Sequence, residues 1–158
     1  METMFETIAW ATDGSELADR ALEHARQLAE IHGSRIVAVH ANELLAGRYG
    51  GAPLLADEPD LQAKIAGQVV ELRAAGLAAE LKICAGREDV AKLVETAAEE
   101  VGADLIVVGT HGHGAVVGAV MGSVARGLCH ASRRPVLVVP PARSAEPSTD
   151  EVHQLTTA

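Results

Sequence analysis

Aromatic side chains are nearly absent from this chain of 158 residues, which contains one Trp, one Tyr and one Phe. A core without rings must be built from Val, Leu, Ile and Ala, the residues that fill parallel sheets covered by helices. Positive charge is also scarce, because 13 Lys and Arg face 22 Asp and Glu and leave a net charge of −9. A nucleic-acid-binding protein needs a basic face that displaces counterions, so we expect no nucleic-acid partner.

Cysteine and long apolar runs are equally sparse. Cys84 and Cys129 form no Cys-x-x-Cys pair, which argues against a structural zinc site or a redox dithiol and predicts two buried free thiols. The N-terminal residues METMFE lack the basic and apolar regions of a signal peptide, and no run approaches the roughly 18 apolar residues of a membrane span. We therefore expect a cytoplasmic protein with no membrane partner.

Short apolar runs alternate along the chain with segments of helical periodicity. Strands are predicted at residues 7–12, 35–40, 78–85, 104–108 and 135–139, and helices between Ser15 and Gly33 and at residues 60–75, 89–101 and 123–130. A long loop is predicted from Ala41 to about Pro59. Such alternation predicts right-handed crossovers and a doubly wound parallel sheet. We expect one domain over residues 1–141 and a disordered tail over the small and polar residues 142–158.

A glycine-rich segment, GTHGHGAVVGAVMGSV, follows the fourth predicted strand and opens the last predicted helix. Glycine lets the backbone approach a ligand without a Cβ in the way. Gly122, Ser123 and Val124 lie where the helix begins, where N–H groups without a helical partner can bind phosphate. The Ser123 hydroxyl would add a donor. A flexible connector with Ser123 as the helix N-cap explains the same spacing equally well.

Other phosphate motifs fit this segment poorly. A P-loop requires a Lys, and no Lys follows Lys92. A dinucleotide fingerprint requires a third glycine one position before Gly118, after the first strand of the sheet rather than the fourth. A receiver domain requires an acidic cluster, but the first predicted strand ends in Asp13 alone, and Pro140 and Pro141 stand where that domain needs a Lys.

Three segments together resemble the ATP-binding subgroup of the universal stress protein family. Gly109-x-x-Gly112, nine further residues and then Gly122-Ser123 are similar to its G-2x-G-9x-G-[S/T] signature. Thr12-Asp13-Gly14-Ser15 resembles the end of the family's first strand, and residues 135–139 (PVLVV) resemble its last strand. The resemblance spans residues 4 to 140. It implies a Rossmann-like, adenine nucleotide alpha hydrolase-like fold, with five parallel strands in the order 3-2-1-4-5.

The resemblance also implies a ligand, a set of contacts and an assembly. The ligand would be ATP, with Mg²⁺ held mainly by the phosphates. Asp13 and Thr12 would contact the ribose or the adenine edge, Val39 would offer backbone groups to the adenine, and Val108 and Gly109 would border the adenosine. Gly112, Gly122, Ser123 and Val124 would hold the phosphates. Two copies would pair as a homodimer around the last strand.

The residues leave other interpretations open. Asp13 taken without the motif is more typical of a turn or helix-capping residue than of a binding residue. His111 and His113 form an isolated His-x-His pair without an evident third ligand, so a metal site is not expected. An ATPase would need a positioned base and a cation, for which His111, His113 and Arg48 are the candidates, and we expect at most slow hydrolysis. A nucleotide-independent interaction module with a vestigial loop is the remaining alternative.

Overall fold

The computed structural model describes residues 3–44, 58–113 and 121–142. In that part of the chain the strands are β1 (Thr7–Ala11), β2 (Arg35–Glu43), β3 (Ala79–Gly86), β4 (Leu105–Gly109) and β5 (Val136–Val139). The helices are α1 (Glu16–His32), α2 (Glu58–Ala74), α3 (Val90–Glu100) and α4 (Ser123–Ala131). The predicted tail beyond residue 142, the loop centre at 45–57 and the glycines Gly114 and Gly118 lie outside the described residues.

The strands form one parallel sheet in the order β3-β2-β1-β4-β5, as the resemblance implied. Every residue of β1 and β4 is buried, because helices cover both faces of the sheet. On one face Ile8, Trp10 and Val107 pack with α1 and α2. On the other, Ala9 and Ile106 pack with α3 and α4. The doubly wound Rossmann-like fold is therefore confirmed.

Helix α1 begins and ends where the sequence indicates. The Ser15 side chain is the N-cap and accepts a hydrogen bond from the Ala18 N–H at 3.3 Å. Gly33 ends the helix with φ of 68°, a left-handed conformation that favours glycine. The buried face between these caps consists of small alanines, which bring the helix close to the sheet, namely Ala18, Ala21, Ala25 and Ala29.

The predicted bounds of the loop from Ala41 to about Pro59 are wrong at both ends. Strand β2 continues past His40 to Glu43 because β3 pairs with it to the end, and α2 begins at Glu58 rather than Asp60. Pro59 is tolerated in the first turn of α2 because an N–H at that position would have no hydrogen-bond partner within the helix.

The prediction of two buried thiols is also wrong. Cys84 is half-buried and Cys129 is exposed. Burial raises the pKa of the Cys84 thiol.

None of the helices in the described part of the chain has the length and apolar character needed to cross a bilayer.

Candidate functional site

The order in which strands are added to the sheet reverses between β1 and β4, and this switch point positions the candidate site. The chain leaves β1 for α1, which packs on one face, and leaves β4 for α4, which packs on the opposite face. The carboxyl ends of these two strands therefore open into a crevice, the usual ligand position in doubly wound folds.

Asp13 joins the loops that follow the two central strands. Its Oδ1 accepts a hydrogen bond from the Ser15 N–H at 3.0 Å, and its Oδ2 accepts one from the His113 N–H at 2.9 Å. Gly112 makes this approach possible, because a Cβ at that position would overlap Asp13 Oδ2. The structure thus brings together Asp13 and Gly112, two of the predicted site residues.

The Asp13 carboxylate is stabilised in its ionised form. Its partial burial opposes ionisation, but hydrogen bonds from Ser15 and His113 outweigh that effect and hold the pKa of Asp13 below its ordinary value. The crevice therefore contains a fixed anionic acceptor, which can bind a hydroxyl or amino group and disfavours a phosphate beside it.

The remaining predicted glycines hold the backbone segments close to one another. A Cβ on Gly109 would lie 3.0 Å from the Leu17 carbonyl oxygen, so the end of β4 packs directly against the first turn of α1. A Cβ on Gly122 would lie 3.0 Å from the Thr110 carbonyl oxygen, to which the Gly122 N–H donates a hydrogen bond at 2.6 Å. The start of α4 is thereby held at the end of β4.

The beginning of α4 has no side-chain cap. Gly122 is the N-cap, and Ser123 is the first helical residue, so the alternative that Ser123 caps the helix is wrong. The N–H groups at Ser123 and Val124 belong to the first turn, which an α-helix leaves without intrahelical acceptors. These groups and the positive end of the helix dipole favour an anion.

Two side chains near this helix end were not assigned a binding role from the sequence. The Arg126 guanidinium turns back toward the helix start, where Nη2 donates to the Met121 carbonyl oxygen at 3.1 Å. The His111 ring places Nδ1 3.1 Å from Thr110 Oγ1, and its Nε2 is buried without a partner among the described residues. A cation and an unused ring nitrogen therefore lie near the uncapped N–H groups. Arg48, the arginine named from the sequence as a candidate for hydrolysis, lies outside the described residues.

The residues predicted to contact adenosine lie deeper in the sheet. The Thr12 N–H donates to the Val39 carbonyl oxygen at 2.9 Å, and Thr12 Oγ1 accepts from the Gly14 N–H at 3.1 Å. The Val39 side chain is fully buried, so only its backbone could contact a ligand. The Val39 carbonyl oxygen already accepts the hydrogen bond from the Thr12 N–H. Val108 is also buried, one residue before the strand ends.

A buried polar pair behind Thr12 was not predicted from the sequence. His40 Nδ1 lies 2.9 Å from the Thr12 carbonyl oxygen, and Nε2 lies 2.8 Å from Glu58 Oε1. Asn42 and Gln62 donate to the same carboxylate oxygen at 2.8 and 2.7 Å. Burial opposes ionisation of Glu58, but the donors from Gln62, Asn42 and His40 outweigh it and lower its pKa. The His40 position could be read from the end of β2, whereas Glu58 lay in the predicted loop.

Comparison with known proteins identifies the family to which the chain belongs. Residues 4–140 match the universal stress protein family. A universal stress protein of Thermus aquaticus is 37% identical over 145 residues, covering 86% of this chain and 99% of the relative. The chain belongs to the universal stress protein family.

Solved structures agree with this assignment. A universal stress protein family structure from Burkholderia pseudomallei has a TM-score of 0.68 and 31% identity, covering 89% of this chain and 100% of that one. A universal stress protein in complex with cAMP has a TM-score of 0.66 and 27% identity, covering 86% and 97%.

Proposed function

We propose that this protein binds an adenine nucleotide, with ATP as the ligand, in the crevice between the ends of β1 and β4. The observation that carries the proposal is the contact of the two loops: Asp13 accepts the His113 N–H across the glycine at position 112, beside the uncapped start of α4. One crevice thus offers a carboxylate for a sugar and backbone donors for phosphates. The cAMP bound in a solved relative supports this class of ligand.

The chemistry of the site separates the two ends of the nucleotide. Asp13 accepts a hydrogen bond from a ribose hydroxyl, and Thr12, Val39, Val108 and Gly109 border the adenosine. Gly112, Gly122, Ser123 and Val124 supply the phosphate end with close backbone approach and N–H donors.

The donor set fits a phosphate chain better than it fits a side-chain metal site. His111 Nε2 and the Arg126 guanidinium lie on the phosphate side, where each can donate to a phosphate oxygen when it carries hydrogen. Among the described residues no three His, Cys, Asp or Glu side chains come close enough together to hold a metal ion. Any Mg²⁺ would therefore be held mainly by the phosphates and water.

Bound nucleotide would serve this protein as a regulatory signal in the stress response rather than as a substrate for rapid turnover. A cytoplasmic location fits that role and stays a prediction. We also propose that two copies pair through β5, which lies at the edge of the sheet and carries half-buried apolar side chains at positions 136–138.

Calorimetric titration of Asp13→Ala with ATP tests the nucleotide proposal, and Asp104→Ala is its matched control. Asp104 also accepts two backbone N–H groups through one carboxylate oxygen, from Glu6 at 2.8 Å and Thr7 at 3.0 Å, but at the amino ends of β1 and β4, opposite the candidate site. We expect ATP binding to weaken in Asp13→Ala and to be unchanged in Asp104→Ala. Equal affinities in both variants and the wild type would refute the site, and parallel titrations with AMP and cAMP identify the preferred nucleotide.

A further inference from the structure

The buried pair of His40 and Glu58 has no role in the ligand contacts described above. Both side chains are only 4% exposed, although buried titratable groups are uncommon without a specific reason. The pair lies directly behind the Thr12–Asp13 turn and connects that turn to the first residue of α2.

The partners of the His40 ring determine which nitrogens carry hydrogen. The Thr12 carbonyl oxygen can only accept, so Nδ1 must donate to it. Glu58 Oε1 already accepts from two side-chain amides and is also an acceptor toward Nε2. Both contacts are therefore satisfied together only when each ring nitrogen carries a hydrogen.

This arrangement fixes the Thr12 backbone from two directions. The Thr12 N–H donates to Val39, and the Thr12 carbonyl accepts from His40, so the peptide unit on each side of Thr12 is held. Asp13 follows immediately, and the direction of its carboxylate toward Ser15 and His113 depends on that backbone.

We propose that His40 is a positioning residue for the nucleotide site, which holds the Thr12 carbonyl through Nδ1–H while Glu58 orients the ring through Nε2. The proposal rests on the proposed nucleotide binding and adds a residue that acts on the ligand only through Thr12 and Asp13.

Two substitutions separate the contacts of the ring. The amide nitrogen of Asn occupies about the position of Nδ1, so His40→Asn keeps a donor for the Thr12 carbonyl and loses the Glu58 contact. The amide nitrogen of Gln occupies about the position of Nε2, so His40→Gln keeps the Glu58 contact and loses the one to Thr12. Both variants replace the buried ring and lose one of its two contacts, and both should therefore unfold at a lower temperature than the wild type.

ATP affinity distinguishes positioning from a role in stability alone. We expect His40→Gln to weaken ATP binding roughly tenfold, within the usual range for coupled sites, and His40→Asn to bind close to the wild type. Equal losses in the two variants, or the greater loss in His40→Asn, would overturn the proposal. His24→Gln is the control, because among the described residues that ring hydrogen-bonds within its own helix, to the Arg20 carbonyl oxygen at 3.0 Å.

Two NMR measurements decide the proposal without a ligand. The ¹⁵N shifts of the His40 ring in the wild type should show hydrogen on Nδ1, and an unprotonated Nδ1 would contradict it even where no variant folds. The His113 amide resonance, which reports its hydrogen bond to Asp13, should move in His40→Gln and stay in place in His40→Asn. If the wild type bound no adenine nucleotide, the proposed function would fail, while these resonances would still establish or refute the positioning of Asp13.

Discussion

Replacing Gly112 by Ala tests the contact on which the candidate site depends. The new Cβ would overlap Asp13 Oδ2, the atom that accepts the His113 N–H at 2.9 Å. Either the carboxylate must rotate away or the backbone at residues 111–113 must move, and both changes break that hydrogen bond. A hydrogen bond to a charged group contributes about 1.5–3 kcal/mol.

The same displacement removes the Asp13 acceptor from the nucleotide. We therefore expect Gly112→Ala to weaken ATP binding by roughly 10- to 150-fold, the factor that corresponds to about 1.5–3 kcal/mol. The loss of fold stability should be smaller, about 1 kcal/mol, because His113 is exposed and water can solvate the separated groups. Calorimetry and thermal unfolding measure the two effects separately.

Gly67→Ala is the matched control. Gly67 is exposed in the middle of α2, and a Cβ there would meet no atom within 4 Å. Ala should stabilise the helix by about 1 kcal/mol relative to Gly and leave ATP affinity unchanged.

A double variant provides the sharpest refutation. With Asp13→Ala in place, the Cβ of Ala at position 112 has no carboxylate to displace. The combination should therefore lose less ATP affinity than the sum of the two single losses, since both changes act on the Asp13 contact. Additive losses would show that Gly112→Ala acts through some contact other than the one with Asp13.

Three further predictions concern pH, assembly and turnover. The pKa values of Asp13 and Glu58 are lower in the folded protein than their unfolded values of 3.8 and 4.5. The resulting stability is present above those unfolded values and is lost as the pH falls through the lower folded values. Acid unfolding should therefore show a smaller decrease in the free energy of unfolding for Glu58→Gln than for the wild type. Pro135 and Val139 accept hydrogen bonds from the Ile106 and Thr110 N–H groups, which leaves the Val138 N–H on the open edge of β5. Val138→Pro should therefore give a monomer by light scattering without disturbing β4, and a monomeric wild type would contradict pairing through β5. Phosphate release by purified protein should be slower than about one per second, because residues 109–125 contain no Lys or Arg to stabilise the transferring phosphoryl group and the Arg126 guanidinium is held at the Met121 carbonyl. Faster turnover that Gly112→Ala abolishes would make this protein an enzyme.

The order of strands and helices could be predicted because each element carries its own signal. β1 and β4 are continuous apolar runs, and Ser15 and Gly33 mark the ends of α1 by their backbone preferences. The glycines of the site could be located by the resemblance. The physical reason for glycine at position 112 could not be predicted. It is the overlap that a Cβ there would have with Asp13, and the two residues lie about 100 positions apart in the sequence.

The errors occurred where tertiary contacts override local preference. Glu58 and Pro59 follow a segment without helical periodicity, and the helix begins there because a buried His, an Asn and a Gln hold the Glu58 carboxylate. Ser123 has the residue type of an N-cap, but the Gly122 hydrogen bond to the Thr110 carbonyl shifts the cap by one residue. Except for Gln62, which lies one helical turn from Glu58, these partners (His40, Asn42 and Thr110) are distant in sequence, so composition and spacing could not reveal them.

The net charge of −9 does not prevent this chain from binding an anion such as ATP. Charges in water are screened over about 10 Å at 0.1 M salt, so acidic side chains elsewhere on the surface act weakly on the crevice. What matters is the local arrangement, in which Asp13 lies at the start of α1 and the first-turn N–H groups of α4 lie across the loop that contains Gly112. A nucleotide has the same division, with neutral hydroxyls at one end and phosphates at the other. The separation of one fixed carboxylate from one uncapped helix end would thus orient the proposed ligand as well as attract its phosphates.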